Sequence, residues 1–150
     1  MKQISKVISI FITVLFLIGC SSNENIVKNG TLAFDKSITV GQAFDKYSYF
    51  SSTKWRSFKT DNGRQIVEVR GEFTDKFLKL KELVWGTEYN KAVLVVQFKI
   101  NKDDTFEILA IGFDVTLKNG EKEFVDMGKN LTKGQLNLLL KELYSGEPLS

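Results

Sequence analysis

The chain has 150 residues, with 21 basic and 18 acidic side chains, a formal net charge of +3, no histidine and a single cysteine. Without histidine, Ser–His–Asp and Cys–His catalysis are excluded, as are zinc sites built on imidazole. One cysteine forbids an intramolecular disulfide. Setting aside Lys2 and Lys6 from the 21 basic residues leaves 19 against 18 acidic, a net charge of +1. That balance lacks the electrostatic footprint of a nucleic-acid binder.

The chain opens MKQISKVISIFITVLFLIGC. Lys2 and Lys6 form a positive flank, and Val7 to Ile18 form an apolar run broken only by Ser9 and Thr13. The run is shorter than the roughly 20 apolar residues a membrane span needs, so it reads as a cleavable export signal. Leu17-Ile18-Gly19-Cys20 resembles the lipobox of bacterial lipoproteins. The resemblance implies cleavage before Cys20, acylation of its thiol and new amine, and stable anchoring in a lipid bilayer. It places the protein in the bacterial cell envelope. Ser21, rather than Asp, after the cysteine implies the outer membrane, facing the periplasm, if the source is Gram-negative.

The expected organisation is a signal peptide over 1–19, a lipidated tether over 20–30 and a single α+β domain over 31–150. Ser21 to Gly30 is polar and small, hence the tether. Thr31 to Phe34 reads as a short strand. Thr39 and Gln42 have capping-box spacing, and Val40, Ala43, Phe44 and Tyr47 share one helical face, predicting a helix from about Val40 to Tyr49.

Lys54 to Lys59 and Gln65 to Phe73 read as a hairpin turning at Asn62-Gly63. In the second strand Val67, Val69, Gly71 and Phe73 alternate with Glu68, Arg70 and Glu72. That pattern predicts a half-buried antiparallel strand, which Ile66 interrupts on the polar side. Thr74 to Tyr89 reads as a strand or irregular segment; a helix with Phe77, Leu80, Leu83 and Val84 on one face is the alternative.

Lys91 to Ile100, Thr105 to Leu117 and Glu121 to Asp126 predict a three-strand meander, with a bulge near Leu109-Ala110. Thr132 and Gln135 repeat the capping spacing ahead of Leu136, Leu139, Leu140 and Leu143, and Gly146 ends that helix. The similar openings ITVGQA and LTKGQL read as two independent uses of one cap. The fold class is α+β: an antiparallel sheet of about five strands with two helices packed on one face.

No catalytic constellation, cofactor site or metal site is expected. Asn101, Asp103 and Asp104 lack calcium-loop spacing and read as a solvated turn. Glu68, Glu72, Glu107 and Asp114 would have to converge to act as paired carboxylates in a hydrolase. Tyr47, Tyr49, Phe50, Trp55 and Phe58 crowd the first helix-to-hairpin junction. Tyr49 and Trp55, with Arg56, Arg64 and Arg70 on the same hairpin, form the candidate recognition surface, because aromatics and Arg dominate binding hot spots.

The stretch TVGQAFDKYSYFSSTKWRSF…GRQIVEVRGEF is similar to small bacterial lipoproteins sharing a TVG…Y.YF…W..F…G…VE pattern. That resemblance implies no activity. The reading is a non-enzymatic envelope lipoprotein, anchored through Cys20, whose domain binds another envelope protein and no nucleic acid. An inhibitor or exclusion lipoprotein, acting on a lysozyme-like enzyme or a phage, is the alternative.

Overall fold

The structure is a computed structural model that describes the backbone of residues 18–150 and their side chains except at 18–21, 84 and 85. The leader read over the first 17 residues lies outside the described residues, as does the Cys20 side chain.

Five antiparallel strands form one sheet in the order β1-β2-β3-β4-β5. They are β1 (Phe50–Lys59), β2 (Gln65–Phe73), β3 (Tyr89–Ile100), β4 (Phe106–Leu117) and β5 (Lys122–Asp126). Helices α1 (Ile18–Asn29), α2 (Val40–Asp45), α3 (Asp75–Trp85), the short α4 (Met127–Asn130) and α5 (Lys133–Ser145) complete the chain. The α+β class and the five-strand antiparallel sheet match the sequence pattern, with five helices among the described residues in place of two.

Strand periodicity separates the two faces of the sheet. Trp55, Val69, Val96 and Ile111 stand in register across β1 to β4, and one residue along stand Arg56, Glu68, Gln97 and Ala110. The first row belongs to the core. Val67, Val69, Phe73, Leu94, Val96, Phe98, Ile111 and Val115 pack there with Val27, Val40, Phe44, Phe77, Leu139, Leu140 and Leu143 from the helices. Ile66, Val93 and Val95 are also buried, yet they lie outside that cluster, on the opposite face.

Both capping boxes form. In α2, Gln42 N–H donates to Thr39 Oγ1 at 3.1 Å and Thr39 N–H donates to Gln42 Oε1 at 2.9 Å. In α5, Thr132 and Gln135 do the same, and Gly146 closes the helix in a left-handed conformation (φ 77°). The bulge falls where expected: Gln97 pairs with Ala110 and Phe98 with Ile108, leaving Leu109 as the extra residue.

Several expectations are corrected. Residues 22–29 are not an extended tether but part of α1, whose Val27 is fully buried and whose Asn23 amide donates to Gln65 Oε1. Thr31 to Phe34 is no strand; only an isolated Leu32–Asp35 bridge forms there. Helix α2 stops at Asp45, because Tyr47 turns into a ring cluster with Tyr49 and Phe50 and its hydroxyl donates to Glu147 O at 2.7 Å.

Strand β2 is buried on both faces rather than one. Thr74 to Tyr89 is mainly the helix α3, capped by Thr74 Oγ1 accepting from Phe77 N–H and ended by Gly86 at φ 66°. Its buried side is Phe77, Leu78 and Lys81, whereas Leu83 is 86% exposed. The alternation of Leu78 and Leu80 with lysines imitates a strand, but the cap and the left-handed glycine set the helix boundaries.

The C-terminal tail is strapped to the core. Leu149 is buried, its N–H donates to Tyr47 Oη at 3.2 Å, and Ser150 N–H donates to Glu142 Oε2.

Candidate functional site

Every helix that contributes to the core cluster packs on one side of the sheet, so among the described residues the other face carries no helix. At its centre β2 places Glu68, only 1% exposed. A buried carboxylate on a helix-free face must be fully hydrogen-bonded to be tolerated. Arg56, opposite it on β1, donates Nε at 2.8 Å and places Nη2 at 2.7 Å from Glu68 Oε1. Gln97, opposite it on β3, donates to Oε2 at 2.8 Å. Arg70, two residues along β2, has Nη1 at 3.6 Å.

Arg70 is shared. Its Nη2 donates to Asp114 on β4, so one guanidinium joins two carboxylates across three strands. Partial burial works against the Arg70 charge, but the hydrogen bond to Asp114 and the charges of Asp114 and Glu68 outweigh it, and its pKa is raised. Lys91 to Glu72 at 2.8 Å and Lys99 to Glu107 at 2.7 Å flank this network.

Phe124 projects from β5 beside it and is 55% exposed. Its ring lies over Gly112, where an added Cβ would sit 2.5 Å from the ring. Glycine is what lets the ring approach the strand this closely. A concavity of about 290 Å³ opens on one side of Phe124, between Glu68, Gln97 and Val95. A second, of about 460 Å³, opens toward Lys91, Val93 and Lys122. Arg70, Asp114 and Phe124 line both.

The structure divides the five residues of the candidate recognition surface. Arg56 and Arg70 meet on the bare face through Glu68. Trp55 is on the helix side, half-buried, with Nε1 donating to Asp45 at 2.7 Å, Phe44 edge-on at 6.0 Å and Lys28 Nζ 5.2 Å from its ring. Tyr49 packs on the same side between Tyr47 and Phe77. Arg64 is exposed in the β1–β2 turn, where its N–H donates to Thr60 Oγ1.

Sequence reasoning placed Glu68 among wet-face acids and did not single out Gln97 or Phe124. Ile66, apolar on the supposedly polar side of β2, was the available signal that this side is covered. Each of the four acids considered for hydrolysis, Glu68, Glu72, Glu107 and Asp114, is ion-paired to a lysine or arginine. Among the described residues no group of three or more Asp, Glu, Cys or His could hold a metal ion, and no helix is long and apolar enough to cross a membrane. Comparison with known proteins returned no matching family model, no matching curated protein and no matching solved structure.

Proposed function

We propose that this chain is a lipid-anchored protein of the bacterial cell envelope, acylated at Cys20, whose α+β domain binds another envelope protein through the helix-free face of its sheet. The anchor rests on the leader and the Leu17-Ile18-Gly19-Cys20 motif. If the source is Gram-negative, Ser21 favours the outer membrane, facing the periplasm.

The binding reading is carried by one observation. Arg70, held by Glu68 and Asp114, lies beside the exposed ring of Phe124 with a concavity on each side, and Arg56 engages Glu68 from β1. Arginine and aromatic side chains supply most hot-spot energy. A guanidinium already fixed before the encounter loses little conformational entropy on binding. Because the acids are already matched by cations, the face offers hydrogen-bonding edges and apolar surface rather than free acid–base groups.

Two measurements test this reading separately. Palmitate labelling should mark the wild type and not Cys20→Ser; label persisting in the variant would remove the anchor. A photo-crosslinking residue at Phe124 should trap one discrete envelope protein, whereas the same residue at exposed Lys46 on the helix side should not. Identical adduct patterns from both positions would remove the assigned face.

A further inference from the structure

Strand β5 pairs only with Gly112–Thr116 of β4, so among the described residues the stretch from Phe106 to Ile111 has no strand on its outer side. The β3–β4 hairpin closes with Asn101 N–H donating to Thr105 O at 2.8 Å. Antiparallel alternation then turns the N–H and C=O of Phe106 and Ile108 outward. Among the described residues nothing hydrogen-bonds to them.

Beside this edge runs a groove of about 580 Å³. Leu32, Phe34, Phe106, Ile108 and Leu140 give it an apolar floor. Asn137 of α5 and Lys36 also line it; Lys36 is exposed and has no ion-pair partner among the described residues. The sheet's other free edge differs. β1 exposes Ser51, Ser52, Lys54 and Lys59, the polar, cationic blunting that discourages strand addition.

We propose that the groove takes an extended segment of a partner protein as an added β-strand, its alternate apolar side chains on the groove floor and an acidic group against Lys36. Unpaired main-chain donors and acceptors in register are satisfied by another extended backbone, and the apolar floor selects every second side chain. Lys36, the one cation lining the groove among the described residues, sets the sign of the charge there. A second copy of this chain fits less well. Symmetric β4–β4 pairing would centre on the Leu109 bulge, where the ladder is interrupted. The site is separate from the bare face, and the proposal stands without the anchor.

The test uses a displayed random-peptide library against residues 22–150 as part of the full chain carrying Cys20→Ser, followed by amide spectra of the labelled protein with each selected peptide. Expected are alternating apolar sequences carrying an acidic residue, whose addition shifts the Phe106 and Ile108 amide signals. Asn137→Trp, which fills the groove from the exposed surface of α5, should weaken them about tenfold. Lys36→Glu, a surface change, should weaken them as well and keeps the test open if the tryptophan variant folds poorly.

Selected peptides that shift other amides, or that bind both variants as well as the wild type, would overturn the proposal. So would a selection that enriches no sequence. Concentration-dependent shifts at Phe106 and Ile108 without peptide would assign the edge to self-pairing instead.

Discussion

Arg56 reaches across from the edge strand to Glu68 and engages one carboxylate oxygen with two of its nitrogens, Nε at 2.8 Å and Nη2 at 2.7 Å. The two partners are unequally wet: the Glu68 side chain is 2% exposed and that of Arg56 61%. Removing the arginine therefore leaves a buried charge short of donors, while removing the acid frees guanidiniums that already touch water. Arg56→Met should cost about 2–3 kcal/mol. Glu68→Leu should cost less than about 1 kcal/mol, since the guanidiniums it leaves behind reach water and Arg70 keeps Asp114. Urea unfolding of both variants measures the order; a Glu68→Leu loss larger than that of Arg56→Met contradicts it.

Buried Tyr47 and half-buried Tyr144 should respond oppositely to loss of their hydroxyls. Tyr47 Oη donates to Glu147 O and accepts from Leu149 N–H. Tyr47→Phe orphans the buried Leu149 N–H and should destabilise by about 1–3 kcal/mol, with faster amide exchange at Leu149. The buried Tyr144 hydroxyl has no hydrogen-bond partner among the described residues. Tyr144→Phe removes that unsatisfied group and should be neutral or stabilising by up to about 1 kcal/mol. Paired denaturation curves decide the signs.

The same tyrosines set an alkaline limit. Burial, the leading cause in both, raises the Tyr47 and Tyr144 phenols above their ordinary value. The unfolded chain releases these protons near about pH 10, while the folded chain still holds them. Above that pH the unfolded state binds fewer protons, so stability falls as pH rises toward the folded values; below it the contribution is constant. Stability measured from pH 8 to 11 should be flat and then decline. The double variant Tyr47→Phe/Tyr144→Phe should show a shallower decline, and an unchanged slope would contradict the assignment.

Gly112 supports Phe124 on the bare face. A methyl there would meet the Phe124 ring at 2.5 Å and Val125 O at 2.7 Å. Gly112→Ala should displace the ring and loosen β5, costing about 1–3 kcal/mol by overpacking. Amide exchange should quicken along β5 and remain unchanged in β2. The crosslink expected from position 124 should weaken in the same variant.

Most of the sheet was legible because period-2 alternation survives where one face is buried, as in Ile111, Phe113 and Val115 of β4. The two capped helices were legible because Thr39–Gln42 and Thr132–Gln135 satisfy end groups locally. α3 was not, since its buried face mixes Phe77 and Leu78 with Lys81 while Leu80 and Leu83 face out. Hydrophobicity there does not follow burial. The Glu68 network was hidden for a different reason: its partners are 12 and 29 residues away along the chain, and only the register of three strands brings them together. Alternation showed which side Glu68 faces, but not that Arg56, Arg70 and Gln97 would cover it.

Helix α1 carries a consequence for reach. Cys20 lies three residues before Asn23, which bonds Gln65 at the hairpin-turn end of the sheet. At 1.5 Å per helical residue, an acyl group on Cys20 would be about 5 Å along the axis from a docked contact. Slack is then absent: the domain would ride on the lipid surface instead of sweeping through a volume above it. β2 ends at the opposite pole, where α3 begins, about 30 Å away at strand rise. On the proposed anchor, a partner would have to be a near neighbour in the same membrane or come to this one, because the body of the fold, rather than a leash, would set the working radius.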